Sequence, residues 1–149
     1  MRAPFQVLAL PYKICDDGIL YAVFHRSNED MWQFLSGGGE DQETPEQAVR
    51  REIWEESGIH AEKIERLTSL CYIGTGIYPK KYRKHWPEDL YVLPEYSFAF
   101  ECTQDIRLSE EHSHFEWLTY EEAYSCLKYD SNRTALYELD CKIRAGKLR

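Results

Sequence analysis

The sequence predicts an α/β fold in which a mixed sheet is sandwiched between helices. Strand-like segments lie on both sides of one well-marked central helix, and two further helix patterns follow towards the end of the chain. This order of elements favours helices packed on both faces of a sheet. With 149 residues, of which 43% are hydrophobic, the chain can bury one ordinary core. A single domain over residues 1–149 is therefore expected.

The first strands form a predicted hairpin. Residues 5–13 are an almost continuous apolar run, which is typical of a strand covered on both faces, and residues 19–25 form a second strand. Between them, Asp16-Asp17-Gly18 predicts a turn. Residues 32–35 are a short strand that leads to Ser36 and three glycines, which allow a tight backbone path close to a ligand.

The central helix has clear start and stop signals. Thr44 offers a side-chain oxygen as N-cap, Gln47 completes a capping box, and Pro45 occupies the first helical position. Gly58 can take the left-handed conformation that ends a helix. Val49 and Ile53 are predicted to point towards the core.

Three carboxylates fall on one face of this helix. At about 100° per residue, Glu52, Glu55 and Glu56 lie within an arc of roughly 100°. Like charges at this spacing repel one another, so the arrangement favours a bound cation. Carboxylate oxygens suit a hard divalent ion, which indicates Mg²⁺, with Mn²⁺ as a substitute. Arg51 lies four residues before Glu55 and can brace it.

Residues 37–59 match a family pattern at every fixed position. Gly37, Glu43 and the run from Arg51 to Ile59 (REIWEESGI) resemble the Nudix box of nucleoside diphosphate hydrolases. In many relatives a proline precedes the glycines, whereas Ser36 stands here. The resemblance implies a Nudix-type α/β/α sandwich with a mixed sheet, the same fold class that the element order predicts.

The resemblance also implies roles for the box residues. Glu52 and Glu56 would be metal ligands, and Glu55 a ligand or a base acting through water. Glu43 would support the loop or hold an outer metal, and Arg51 would orient Glu43 or Glu55. Gly37 and Gly38 would lie against the substrate. The alternative is an exposed helix whose charges form only surface salt bridges.

One more carboxylate from a distant loop is expected. Glu111 is favoured over Glu110, Glu95 and Glu101, because residues 109–118 (SEEHSHFEWL) resemble a segment of dihydroneopterin triphosphate and dATP pyrophosphohydrolases. Trp32-Gln33 and Ser131-Asn132-Arg133 also resemble that subfamily. A plain acidic turn is the alternative. His112 and His114 receive no role.

Residues 74–94 are the least regular segment. This stretch gathers basic residues in an acidic protein: Lys80, Lys81, Arg83, Lys84 and His85. They could contact polyphosphate, with Tyr82 or Trp86 stacking on a base. An exposed, solvated loop explains the same pattern equally well.

The remaining elements are strands and two helices. Residues 67–73, 95–102 and 114–118 are predicted strands. Thr119 and Glu122 repeat the capping-box spacing and open a helix to about residue 127. Asp130 or Ser131 would cap a last helix, which Gly146 closes. Its apolar face is formed by Ala135, Leu136, Leu139 and Ile143.

Net charge and cysteine content limit the possible binding partners and the cellular compartment. A net charge of −8 argues against broad binding to nucleic acid or to an anionic membrane. Five widely spaced cysteines without a CxxC pair indicate reduced thiols in a cytoplasm. Residues 5–10 are too short and too interrupted for a signal peptide or a membrane span. A monomer or a homodimer is expected.

The sequence thus predicts a Mg²⁺-dependent hydrolase. The leading hypothesis is cleavage of a nucleoside or pterin triphosphate, dATP-like or dihydroneopterin triphosphate, to the monophosphate and pyrophosphate. A first alternative keeps the site but acts on ADP-ribose or a dinucleoside polyphosphate. A second alternative, of another class, is a module that senses a nucleotide without turning it over. That reading is disfavoured because all three helix carboxylates are intact.

Overall fold

The computed structural model describes residues 1–148 and shows seven strands and four α-helices. The strands are β1 (Arg2–Cys15), β2 (Gly18–Arg26), β3 (Trp32–Gln33), β4 (Leu35–Glu40), β5 (Glu65–Gly74), β6 (Val92–Glu101) and β7 (His112–Leu118). The helices are α1 (Pro45–Ser57), α2 (Lys80–Arg83), α3 (Tyr120–Cys126) and α4 (Asp130–Arg144), with a 3₁₀ turn at Thr75–Ile77. The predicted mixed sheet and the predicted helices α1, α3 and α4 are confirmed, whereas the short helix α2 lies in the segment that was predicted to be irregular.

Strand β1 organises the sheet. It pairs in parallel with β6 along one edge, and on the other edge it pairs antiparallel with β4 near its start and β2 near its end. Strands β3 and β7 pair with β2, and β5 pairs with β6. The predicted hairpin forms, with Gly18 at φ 138° directly after the two-residue turn. That φ value suits glycine, which lacks the Cβ that would clash there.

Alternate residues of β1 serve two separate core layers. Val7 and Ala9 face α1 and pack with Val49 and Ile53, as the helical spacing predicts. Leu8 and Leu10 face the opposite side, where the buried residues of α3 and α4 cover them. Because successive side chains of a strand point to opposite faces, one strand can build both layers. The result is the α/β/α sandwich.

Two details differ from the sequence prediction. The strand predicted to end at Leu35 continues as β4 through the three glycines to Glu40, with Gly37 and Gly38 paired with β1. The N-cap of α4 is Tyr129, which makes no side-chain capping bond, so the prediction of Asp130 or Ser131 as the cap is wrong. The end of α4 is as predicted, since Gly146 takes a left-handed φ of 71°.

Candidate active site

Helix α1 is held at both ends by local contacts. The Thr44 hydroxyl accepts from the backbone N–H of Gln47, and the Gln47 side chain accepts from the backbone N–H of Thr44, so the predicted capping box is present. Gly58 ends the helix at φ 72°. The helix is therefore fixed in register against β4, which carries the glycines.

The three helix carboxylates differ in exposure. The side chain of Glu55 is 53% exposed, that of Glu52 is 12% exposed, and that of Glu56 is 2% exposed. Glu52 lies against β4, where a Cβ on Gly37 would overlap its carboxyl group. The three acids are therefore buried to increasing depth in the order Glu55, Glu52, Glu56. Because Gly37 has no side chain, it leaves the space that the Glu52 carboxyl group occupies.

Glu56 is buried without hydrogen-bond partners. Neither of its carboxylate oxygens has a well-formed hydrogen bond among residues 1–148, although both are out of contact with solvent. Burial raises the pKa of Glu56 well above its usual value, and the neighbouring Glu52 and Glu111 carboxylates raise it further. A buried charge without partners is strongly unfavourable. A bound cation would remove that penalty.

Glu111 and His112 meet Glu56 from the start of β7. Potential ligand atoms of Glu56, Glu111 and His112 all lie within 4.8 Å of one another. The structure thus brings together Glu111, favoured from sequence, and Glu56. Two carboxylates beside a third, Glu52, are a donor set that suits Mg²⁺ or Mn²⁺. Glu110, the neighbouring candidate, instead accepts a bond from Ser27 through its backbone carbonyl.

His112 is a site residue that the sequence did not reveal. Its Nδ1 lies 3.8 Å from Glu56 Oε1, and its Nε2 lies 3.3 Å from the amide nitrogen of Gln33. Burial, together with the charge of Arg26, lowers the pKa of His112 to about 4, so the ring is neutral at neutral pH. If the Gln33 amide donates to Nε2, the ring proton sits on Nδ1 and faces Glu56.

Arg51 ties the carboxylates together. Its guanidinium donates to both oxygens of Glu43 at 2.8 and 2.9 Å, to Glu52 at 2.9 Å and to Glu55 at 3.2 Å. It also donates to the carbonyl of Gly38 at 2.9 Å. These bonds raise the pKa of Arg51 and lower that of Glu43. Both carboxylates named for Arg51 from sequence are bonded to it.

Glu43 is held inside the protein framework. Besides the two bonds from Arg51, its Oε1 accepts the backbone N–H of Glu40 at 2.8 Å. Of the two roles considered for Glu43, these contacts favour support of the loop between β4 and α1. Gly38 contributes its carbonyl to the same network, while its Cα side faces the Arg2 guanidinium.

A cavity of about 380 Å³ lies beside this site. Ser36 and Gln33 line it, and Gln33 is also the residue that contacts His112. Its floor contains Gln6 and Glu95. The other lining residues come from the loops and strands around it: Leu8, Arg26, Glu29, Met31, Cys71, Tyr72, Ile73, Ile77, Tyr78, Tyr129, Ser131 and Asn132. Its volume is within the range of small-molecule pockets.

The basic residues at 80–85 do not line that cavity. Lys81 and Lys84 border a separate cleft with Arg2 and Glu40, and Lys80 and Arg83 border a third one. Trp86 is 8% exposed and donates its indole N–H to the carbonyl of Arg2 at 2.9 Å. Trp86 also borders that third cleft, so its stacking on a base stays a prediction. Tyr82 is half-buried, and the Arg2 guanidinium carbon lies 4.6 Å from the centroid of its ring.

A family comparison agrees with this geometry. The sequence model of the NUDIX domain matches residues 13–139. The chain belongs to the NUDIX family. A Listeria monocytogenes str. 4b F2365 protein described as a NUDIX hydrolase has 36% identity and a TM-score of 0.86, with 99% of each chain covered. The Escherichia coli dihydroneopterin triphosphate pyrophosphohydrolase has 22% identity and a TM-score of 0.75, with 95% of this chain and 97% of that chain covered.

Curated relatives point to the same chemistry. An RNA pyrophosphohydrolase of Psychrobacter sp. (strain PRwf-1) is 30% identical over 103 residues, which cover 64% of this NUDIX chain and 60% of the relative. The match thus spans less than two thirds of the relative's length. Two of the proteins that this chain resembles are named pyrophosphohydrolases. None of the helices in residues 1–148 combines the length and apolarity needed to span a bilayer.

Proposed function

We propose that this NUDIX protein is a Mg²⁺-dependent pyrophosphohydrolase that cleaves a nucleoside or pterin triphosphate between the α and β phosphates. The observation that carries the proposal is Glu56, a buried carboxylate that has no well-formed hydrogen bond among residues 1–148 and meets Glu111. A buried carboxylate without good hydrogen bonds lowers the stability of the folded protein. A bound cation, together with a triphosphate, would compensate for that loss and explain why the carboxylate is there.

Glu52 and Glu56 would hold the metal, with Glu111 completing the set and Glu55 as a further ligand or a base through water. When bound, Mg²⁺ or Mn²⁺ neutralises charge on phosphate oxygens and lowers the pKa of the attacking water. Arg51 fixes Glu52 and Glu55 at 2.9 and 3.2 Å, which orients both for this task.

Glu55 is suited to accept the proton of the attacking water. It is the most exposed of the three helix acids, and burial together with the charge of Glu52 raises its pKa above the usual value. In the reaction, the water oxygen forms a bond to phosphorus as the bridging P–O bond breaks. Glu55 takes the water proton, and the products are a monophosphate and pyrophosphate.

The cavity beside the carboxylates would receive the ring of the substrate. Aromatic and aliphatic side chains line it, among them Tyr72, Tyr78 and Tyr129. Flat rings gain binding energy by stacking on such surfaces. Ser36 and Gln33 connect this ring site to the carboxylates, so a triphosphate could extend from one to the other.

A substrate panel with a pyrophosphate readout tests the proposal. Purified protein is assayed with nucleoside triphosphates, dihydroneopterin triphosphate, ADP-ribose and dinucleoside tetraphosphates, with Mg²⁺, with Mn²⁺ and with chelator. We expect metal-dependent release of pyrophosphate from triphosphates. Formation of AMP and ribose 5-phosphate from ADP-ribose, or of two mononucleotides from a dinucleoside tetraphosphate, without pyrophosphate release from any triphosphate would assign the site to those substrates instead. Binding of a triphosphate without turnover under any metal would favour the sensing module.

A second candidate substrate is the 5′-triphosphate end of RNA, because the matched relatives are named RNA pyrophosphohydrolases. The net charge of −8 opposes extended contacts with RNA, although a terminal triphosphate needs only the site itself. A short 5′-triphosphorylated RNA belongs in the same panel. Faster turnover of that RNA than of any free nucleotide would favour this candidate.

A cytoplasmic location is also proposed. The five cysteines are free thiols, which agrees with a reducing compartment.

A further inference from the structure

The floor of the 380 Å³ cavity is a row of polar side chains on neighbouring strands. Gln6 on β1 is the register partner of Glu95 on β6, and Glu95 is the partner of Cys71 on β5. Glu95 is only 5% exposed. Sequence reasoning ranked Glu95 as a minor metal candidate, yet no member of the Glu56, Glu111 and His112 cluster accompanies it in this row.

A chain of hydrogen bonds fixes how this row is presented. The Tyr78 hydroxyl donates to Gln6 Oε1 at 2.7 Å, so the Gln6 amide nitrogen points to Glu95 and donates to its Oε2 at 2.8 Å. Among residues 1–148, Glu95 receives no other hydrogen bond, which leaves Oε1 without a donor. The floor therefore presents a nearly buried carboxylate with acceptor capacity facing the cavity.

A carboxylate in such a place selects for donors. It offers only acceptors, and an acceptor of the ligand placed against it leaves both groups unsatisfied at a large cost. Guanine and pterin carry a ring N–H next to a 2-amino group, which can satisfy both oxygens of one carboxylate. The corresponding edge of adenine has an amino donor next to a ring-nitrogen acceptor, so one of its contacts would be repulsive.

We propose that Glu95, held by Gln6 and Tyr78, is the specificity-determining residue that binds the N–H and 2-amino edge of a guanine or pterin ring. The inference rests on the proposed function and narrows its substrate: a guanine or pterin triphosphate is preferred over an adenine one. It departs from the dATP-like substrate, which the leading hypothesis from the sequence includes. Tyr72 and Tyr129 on the cavity wall are available to stack on the ring.

A series of three nucleotides tests the match of the edges in the wild-type protein. GTP offers two donors, ITP lacks the 2-amino group and offers one, and ATP offers a donor and an acceptor. We expect kcat/KM to fall in that order, with GTP over ATP by roughly 10- to 100-fold. Equal turnover of GTP and ATP, or preference for ATP, would overturn the proposal without any variant.

The variant Glu95→Gln replaces the acceptor that faces the cavity with a donor. Because Gln6 donates to the position of Oε2, the new amide oxygen stays there and its NH₂ group turns to the cavity. That donor opposes the ring N–H of guanine but matches the ring nitrogen of adenine. We expect kcat/KM for GTP to fall roughly 10- to 100-fold while that for ATP falls less or rises. Glu101→Gln, on the same strand but exposed, is the matched control and should leave the ratio unchanged.

Binding of the products separates this proposal from the proposed function. Calorimetry with GMP, AMP and neopterin monophosphate reads the ring site whether or not the protein hydrolyses anything. Tighter binding of GMP than of AMP that is lost in Glu95→Gln supports the ring site even if no triphosphate is turned over. If wild type and Glu95→Gln both turn over triphosphates with the same GTP to ATP ratio, the role of Glu95 in the ring site would be refuted and the proposed hydrolase activity would stand. Melting curves of both variants confirm that they fold.

Discussion

Two glutamates on opposite faces of the sheet, Glu138 and Glu56, differ in how their carboxylates are hydrogen-bonded. Glu138 of α4 accepts from the backbone N–H groups of Thr68 and Ser69 at 2.6 and 2.8 Å, from the Ser69 hydroxyl, and from Lys142 at 2.9 Å. Glu56 of α1 is more deeply buried and accepts no well-formed bond. The lone pairs of Glu138 have good hydrogen-bond donors, whereas those of Glu56 have no well-placed donor in the part of the chain that the structure describes.

The pKa values move in opposite directions for that reason. Burial would raise the pKa of Glu138, but the hydrogen bonds from Ser69, Thr68 and Lys142 outweigh burial and lower it to about 2. The pKa of Glu56 is raised by burial and by its acidic neighbours. A partnered carboxylate that joins α4 to β5 is part of the framework, whereas an unpartnered one beside Glu111 is kept for something that binds.

The largest expected effect comes from Glu56→Gln. Turnover should fall by roughly 100- to 10,000-fold, because the site loses a ligand oxygen and a negative charge. The metal-free protein should become more stable by about 1 kcal/mol, or about 2–4 °C in melting temperature, since a buried charge is removed. Steady-state kinetics and thermal unfolding with chelator measure both.

The control for Glu56→Gln is Glu46→Gln on the same helix. Glu46 is 54% exposed and, within residues 1–148, pairs only with Arg66 at 3.2 Å, so both activity and stability should stay nearly unchanged. A Glu56→Gln protein that is active and less stable would mean that Glu56 belongs to the framework, as Glu138 does.

Glu138→Gln should show the reverse pattern. Activity should be retained, but the free energy of unfolding at pH 7 should fall by about 1–3 kcal/mol, because the bonds to Thr68, Ser69 and Lys142 weaken. The folded pKa of Glu138 lies below its unfolded value, so its stabilisation is present above about pH 4.5 and is lost as the pH falls towards about 2. Denaturant unfolding at pH 7 and near pH 2.5 checks this window.

The difference in stability between wild type and Glu138→Gln should therefore shrink in acid. An exposed acid of α3, Glu121, provides the comparison variant, since its replacement by Gln should change stability little at either pH. A gap between wild type and Glu138→Gln that stays constant down to pH 2.5 would contradict the assigned cause.

The two neighbouring glycines of β4 allow a finer test. A methyl group at Gly37 would overlap the Glu52 carboxyl, while one at Gly38 would overlap the Arg2 guanidinium. In each case the end of a flexible side chain can move, so the cost in folding should be small. We expect Gly37→Ala to lower kcat by about tenfold or more, as for a displaced ligand, and Gly38→Ala to lower it far less. Equal losses would show that the backbone of β4, and not Glu52, limits the rate.

The smallest effect is expected from the basic segment. Because Lys81 and Lys84 border the cleft of Arg2 and Glu40, and not the 380 Å³ cavity, replacing both with Ala should raise KM less than about threefold. The residual effect should disappear in high salt. A tenfold rise in KM that persists in high salt would instead support the contact between these lysines and the phosphates of the substrate that the sequence suggested.

The parts of the site that the sequence predicted are those determined by local contacts. Thr44, Gln47 and Gly58 fix α1 through bonds within four residues, so its bounds could be read directly. Arg51 reaches Glu55 across one helical turn, which spacing also shows. The strands were recognised from apolar runs, although β1 and β5 extend beyond the predicted ranges because pairing carries polar residues into the sheet.

The parts that the sequence did not predict depend on contacts between distant segments. His112 and Gln33 meet only because β7 and β3 pair with the same strand, β2. The burial of Glu56 follows from β4 and from the segment that carries Glu111, and no helical spacing indicates it. Asn132, which accepts the backbone N–H of Phe34 at 2.9 Å, was noted only as part of a helix-cap resemblance.

The pairing of β1 with β6 also governs the order in which the protein can become functional during synthesis. Gln6 and Glu95 are 89 positions apart, so the ribosome releases the whole NUDIX box well before the strand that completes the middle of the sheet. A nascent chain that stops before Val92 carries every box carboxylate but has no Glu95 beneath the cavity. Contacts over such a separation are slow to close, so the cavity can form only late in synthesis and folding.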